Sequence, residues 1–339
     1  MQKLKGLVKM DDYKIIHIKD SKKNDITDYI GALTWKDSID TLGMELSFTM
    51  IDSHTDKYMN WTKKVTLGDF IVLLNKNKER FRGLIVTENY NINTRNITAF
   101  DFAFWLNKSM IIKQFTKMKS DKAIMELCKD FNIKVSVKGM TSTITKIYKN
   151  SVISDIIKDI IENEENTTGK KFRMEMRNGI LTIEPYKELI VQALYKQAVN
   201  IGRINSLNYA SDVNISRSIE NMRNSILITS GDEKTINVMA KSEDKANIKK
   251  YGLLTHVESV DDKSKAQASN IAKNKLKELN KIGEDISLTL LGSDELRAGR
   301  ILIFNNEING LKGKYLIKDC EHKFENKNHK CNITIEVVA

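Results

Sequence analysis

Between Met44 and Met50 the apolar residues Met44, Leu46, Phe48 and Met50 alternate with Glu45, Ser47 and Thr49. That is the period of a strand with one face in a core. The same strand character precedes it over residues 13–38, and the stretch after it carries a pattern that returns near the end of the chain. The first copy, Gly68–Asp101, runs from a Gly-led apolar strand (Phe70–Leu74) to Gly83, a second strand (Gly83–Glu88), an Asn-rich turn (Asn91–Asn96) and a third strand (Ile97–Phe102). The second copy, Gly299–Val338, repeats the order through Gly313 and the turn at Asn326–Asn328. The stretch 204–231 can be laid beside 32–53, which matches the strand Ser225–Thr229 with Met44–Met50.

Helical periodicity appears between and inside the copies. Ser120, with Asp121 behind it, reads as an N-cap, and Ala123, Ile124, Leu127, Cys128 and Phe131 follow at helical spacing. Ser151 opens a second helix in the same way, with Ile153, Ile156, Ile157, Ile160 and Ile161 as its apolar stripe. A third stripe, Ala268, Ile271, Ala272, Leu276 and Leu279, leads to Gly283 as a C-cap. Asn178-Gly179 is a two-residue hairpin turn, because both central residues accept positive φ. A short helical turn is expected over Lys57–Trp61. The organisation that follows is a β domain over 1–110, an inserted α+β domain over 111–195, and a second β domain over 196–339 with a helical insert around 241–283.

At 339 residues the chain is long enough for several cores. Three cysteines do not make a disulfide framework, and the N-terminus lacks the apolar core of a signal peptide, so synthesis in a reducing cytoplasm is expected. No run reaches the roughly 20 apolar residues of a membrane span. The net charge of +11 invites a nucleic-acid reading, but the lysines are dispersed and not interleaved with aromatics. A solvated basic surface without specific nucleic-acid binding accounts for them. One chain with two copies of a β-unit can fill two equivalent positions in a ring, and a homotrimer would fill six.

The stretches TWKDSIDTLGMELSF, LGDFIVLL, RFRGLIV, ITAFDFAFWLNKSMIIKQFTKMKSDKAIMELCKDFNI, LLGSDELRAGRILIF, GLKGKYLIKDCEHKF and ITIEVV resemble the baseplate hub proteins of contractile phage tails and phage-tail-like bacteriocins, of the XkdQ/YqbQ prophage type. The resemblance spans nearly the whole chain as a distributed pattern. It implies an α+β, mainly β fold with two duplicated tube-type β-barrel domains and inserted small α+β domains. It also implies a homotrimer whose pseudo-sixfold ring adapts the sixfold tail tube to the threefold central spike. The implied partners are the tube protein, the spike, and other baseplate and tape-measure proteins, in a particle assembled after synthesis in the bacterial cytoplasm. Ring and tube contacts are then expected from Gly68–Phe102 and Ser287–Val338, with 111–195 peripheral.

The competing function is a cell-wall hydrolase at the tail tip. No serine-hydrolase elbow, zincin, P-loop or dinucleotide motif is present. His17 in an alternating strand and His54 in a polar loop read as structural or solvated. His256 with Glu258, Asp261 and Asp262 offers an acid/base cluster, but no nucleophile or second carboxylate is fixed beside it. No catalytic residue is therefore assigned. The sharper pattern is Cys320-x-His322 followed by His329-x-Cys331. Residues i and i+2 of a strand share a face, and a tight turn centred on Glu325-Asn326 sets Cys320 opposite Cys331 and His322 opposite His329. Such a set could bind Zn(II), or the cysteines could join in a disulfide. An ordinary hairpin with a longer turn over Glu325–Asn328 would break that register.

Overall fold

The computed structural model describes residues 12–52, 64–187, 189–195, 202–232, 235–260, 268–308 and 310–338. Lys57–Trp61, His54, Asp261 and Asp262 lie outside them. The first β region holds β1 (Tyr13–Lys19), β2 (Lys22–Asp25), β3 (Ile30–Ser38), β4 (Met44–Ile51), β5 (Phe70–Asn75), β6 (Lys78–Tyr90) and β7 (Thr94–Asp101). The alternation in β4 does what its period requires, burying Met44, Leu46, Phe48 and Met50 against Trp35, Ile71, Leu73, Phe81, Ile85 and Ile97. Fully burying each such side chain contributes about 1.5–3 kcal/mol.

From β7 the chain enters α1 (Ala103–Lys108), β8 (Met110–Lys119), α2 (Ser120–Lys129), β9 (Lys134–Val137), β10 (Thr143–Val152), α3 (Ile153–Thr168), β11 (Phe172–Arg177) and β12 (Ile180–Pro185). β8 pairs with β10, and β12 pairs with β11 on one side and β9 on the other. Both expected helices form, and their stripes build one core around Ile124, Leu127, Ile156, Ile157 and Ile160. Their N-termini differ from expectation. Strands β8 and β10 run directly into the helices, so the cap positions fall to the extended Lys119 and Val152 and no side chain caps either helix. Ser120 instead places its hydroxyl 2.8 Å from that of Ser142, and Ser151 stays in β10. Asn178 and Gly179 make the expected turn, with φ of 48° and 75° between Arg177 and Ile180, which pair directly.

After β13 (Leu194–Tyr195) and β14 (Ile204–Asn205), a second compact unit, Asn214–Ile286, begins within β15 (Ser211–Ser218). It contains β16 (Ser225–Asp232), β17 (Thr235–Glu243), α4 (Lys245–Tyr251), β18 (Thr255–Ser259) and α5 (Ala268–Leu279). Its strands run in the order β17-β16-β18. Ala268 and Ala272 of α5 pack with Ile226 and Ile228 of β16. Asp244 caps α4 by accepting from the backbone N–H groups of Ala246 and Asn247. Ser225–Thr229 therefore belongs to this unit's own sheet and is not the counterpart of Met44–Met50. Gly283 is likewise no helix cap. It opens β19 (Gly283–Leu291), which is followed by β20 (Ile301–Ile308), β21 (Leu311–Glu325) and β22 (Asn328–Val337).

Twelve strands form one sheet in the order β15-β19-β22-β21-β3-β4-β7-β6-β5-β1-β2, with β20 also on β21. The segment β3-β4-β7-β6-β5 recurs as β15-β19-β22-β21-β20. Its bonds recur too: Gly68 N–H donates to Ile85 O at 2.9 Å, and Gly299 N–H to Ile317 O at 2.7 Å. The counterpart of β4 is thus β19, and the elements β16 to α5 (Ser225–Leu279) lie in sequence between the counterparts of β3 and β4. The sheet ends at β15 and β2, so among the described pairings neither half closes into a barrel by itself. The two halves meet where β3 pairs with the distal part of β21.

Gly83 and Gly313, which the sequence aligns, are not equivalent. Gly83 stands two residues before Ile85 and Gly313 four before Ile317. A Cβ on Gly83 would lie 2.0 Å from the carbonyl oxygen of Phe100 on the neighbouring strand, whereas Gly313 has open space but a φ of +109°.

Candidate functional site

The last hairpin turns through Asn326 and Lys327, with φ of 50° and 62°, and Glu325 pairs with Asn328. This two-residue turn shifts the register by two from the one expected. His322 faces Cys331, Phe324 faces His329 and Cys320 faces Ile333. The shift is even, so the face is unchanged and all four expected side chains converge. Each is at most 3% exposed.

The donor atoms are close. His322 Nδ1 lies 2.9 Å from His329 Nε2 and 3.0 Å from Cys331 Sγ, and Cys331 Sγ lies 3.7 Å from His329 Nε2. Cys320 Sγ is 3.3 Å from His322 Nε2, and the ligand atoms of Cys320, His322 and Cys331 all fall within 4.8 Å of one another. Both sulfurs are free thiols. Burial pushes Cys320 well above the ordinary thiol range, reinforced by its hydrogen bond and charge interaction with Cys331. Burial also raises Cys331, but the hydrogen bond from Cys320, the nearby His322 ring and the bonds to both imidazoles outweigh it and hold Cys331 well below the ordinary range.

Residues distant in sequence wall this cluster. Trp35 of β3 stacks on His322 with ring centroids 4.5 Å apart and planes 7° apart. Tyr13 of β1 places its hydroxyl 3.3 Å from His329 Nδ1 and donates to Asp294 at 2.5 Å. Asp294 also accepts from Asn75 at 2.6 Å and pairs with Arg80 at 2.7 Å. Gly292 allows the His329 ring to approach: a Cβ there would lie 2.0 Å from it. The cluster therefore sits on the seam between the two β halves. Nothing local in the sequence marks Tyr13, Trp35 or Asp294 as its neighbours, because 281 residues separate Tyr13 from Asp294.

A second polar cluster ties the α+β region to both halves. Glu175 of β11 pairs with Arg300 at 2.9 Å, with Arg173 at 3.5 Å and with Arg177. Arg297 pairs with Asp37 at 2.7 Å and donates to Met176 O at 2.8 Å. Burial alone would raise Glu175, but the hydrogen bond and charge of Arg300, with Arg297 and Arg177, hold it at about 2. Burial lowers Arg173 to about 10, with the neighbouring arginines adding to the shift. The alternation Arg173-x-Glu175-x-Arg177 was the one sequence signal of this network.

The remaining histidines do not build a catalytic set among the described residues. His17 is buried and bonds Asp69 at 2.9 Å, a structural pair. His256 is 3.5 Å from Glu258, which also pairs with Lys275 at 3.5 Å. That geometry is a partly exposed polar contact, with Lys275 supplying the charge opposite Glu258.

A family model described as YQBQ-like matches residues 33–336. The uncharacterized protein YqbQ of Bacillus subtilis (strain 168) is 26% identical over 279 residues, covering 81% of this chain and 82% of that protein. The phage-like element PBSX protein XkdQ of the same organism is 24% identical over the same extent. The 43 kDa tail protein of prophage MuSo2 from Shewanella oneidensis has a similar solved structure, with a TM-score of 0.69 at 12% identity over 96% of this chain and 98% of that one. That last likeness is one of fold.

Proposed function

Because the chain belongs to the YQBQ-like family, we propose that it is a structural, non-enzymatic baseplate hub of a contractile phage tail or tail-like particle. In this reading three copies close a ring of six tube-type β segments, one face receiving the sixfold tail tube and the other holding the threefold spike. Residues 1–110 and 196–339 carry the ring, and 111–195 is peripheral, open to other baseplate and tape-measure proteins. The tail-protein and phage-element names of its relatives agree with this.

The observation that carries the reading is the repeated strand order and the seam within it. Strand β3 pairs with distal β21 inside the chain. The equivalent partners are β15, the last strand of the sheet, and distal β6, where residues 86–90 pair with β7 alone among the described pairings. Among the described residues both are sheet edges, which proteins seldom leave uncovered. Pairing β15 of one copy with β6 of the next repeats the internal seam between copies. A head-to-tail contact of this kind closes into a ring when the rotation allows, and two segments per chain give six from three chains.

The test is a cysteine scan with one residue along Thr87–Tyr90 and one along Ser211–Ser218. Oxidation of assembled particles is expected to yield a covalent trimer. Cross-links confined within single chains, or a ladder beyond three, would overturn the reading. Purified protein is expected not to clear a peptidoglycan suspension. Clearing that disappears in His256→Ala would replace the hub with a hydrolase.

A further inference from the structure

We propose that Cys320, His322, His329 and Cys331 bind one soft divalent metal ion, zinc first among them, as a structural centre that pins the last hairpin at the seam between the two β halves.

Proton positions at the two imidazoles follow from their outer partners. His322 Nε2 lies 3.0 Å from the carbonyl oxygen of Leu296, which can only accept, so Nε2 carries the proton and Nδ1 presents a lone pair. The Tyr13 hydroxyl gives its proton to the Asp294 carboxylate at 2.5 Å. Its oxygen therefore accepts from His329 Nδ1–H at 3.3 Å, which leaves His329 Nε2 as the second lone pair. These two nitrogens face each other at 2.9 Å. With both nitrogens and the Cys331 sulfur turned toward one point, a shared cation satisfies all three at once.

The sulfurs complete the set. Cys331 Sγ is 3.0 and 3.7 Å from the two nitrogens, and Cys320 lies within 4.8 Å of Cys331 and of a His322 ring nitrogen. Tetrahedral zinc, with Zn–N of about 2.0–2.1 Å and Zn–S of about 2.3 Å, sets its donors roughly 3.3–3.8 Å apart, so the two imidazoles and Cys331 already stand near the required spacing and Cys320 completes the set by swinging toward them. Charge balances as well. Whatever protons the two sulfurs carry leave to solvent on binding, and Zn(II) with two thiolates and two neutral imidazoles is neutral, as a nearly fully buried site requires. The outer shell has the form that metal-binding histidines need: His322 held by Leu296 O, and His329 by the Tyr13–Asp294 pair. Nitrogen and thiolate donors select zinc over magnesium or calcium.

The experiment uses the full chain, purified without chelators from zinc-containing medium. Elemental analysis and native mass spectrometry are expected to show one zinc per chain, at the sequence mass plus one zinc less two protons. Refolding with Co(II) is expected to give thiolate-to-cobalt charge-transfer bands and intense tetrahedral d–d bands. Cys331→Ser and His322→Gln should each lose the stoichiometric metal, while Cys128→Ser, in a different core, should keep it. If those variants fail to fold, the cobalt spectrum of the unaltered chain decides. Protein that holds no zinc and takes up neither metal on refolding would overturn the proposal. So would a Cys320–Cys331 disulfide, or zinc retained in the Cys320→Ser/Cys331→Ser double variant.

Discussion

Glu175 keeps its charge in a nearly dry place because three arginines from two parts of the chain bring theirs to it. Its folded-state affinity for a proton is lowered from 4.5 to about 2. The sign follows: the contribution is complete above the unfolded value near 4.5 and is lost as pH falls through about 2. The shift corresponds to about 3 kcal/mol. Urea unfolding at neutral pH should therefore show Glu175→Gln destabilised by about 2–3 kcal/mol, with the difference from the unaltered chain shrinking toward pH 2. An undiminished difference at pH 2 would assign the loss to packing. The glycines make a second residue-level contrast. Gly83→Ala forces a Cβ into the Phe100 carbonyl and should cost about 3 kcal/mol or more. Gly313→Ala has room and meets only an unfavourable φ, for about 1–2 kcal/mol. Thermal melts of the two variants should rank in that order.

At the scale of elements, the final hairpin sets the register that gathers Cys320, His322, His329 and Cys331. Its turn uses Asn326 and Lys327, both with positive φ, and lysine is a poor occupant of that conformation. Lys327→Gly should stabilise the chain by about 0.5–1 kcal/mol, read as a higher melting temperature. A lower melting temperature would mean that the Lys327 side chain holds the turn. The four-residue face was legible in the sequence because i and i+2 share a face whatever the register. The partner of each residue was not, because it depends on a turn whose second residue is lysine and not the usual glycine. Apolar periodicity likewise announced β4, α2, α3 and α5. It could not say that Ser225–Thr229 pairs within the second unit, since an alternating strand carries no mark of which sheet it joins. The serine caps failed for a related reason: a strand running straight into a helix leaves the cap position to its own last residue.

At the scale of the whole molecule, one sheet passes through both halves of the larger unit and repeats its strand order about an internal seam. Composition identified neither the seam nor its walls, because Trp35 and His322 meet only once the halves pair. The same geometry leaves β15 and distal β6 as the edges that a neighbouring copy would satisfy. The most direct measurement is the number of copies of this 38.8 kDa chain in the assembled particle, by native mass spectrometry of released baseplates or by symmetry in electron cryomicroscopy. The hub account predicts three, arranged with pseudo-sixfold symmetry where the tube begins. One, two or six copies there would contradict it.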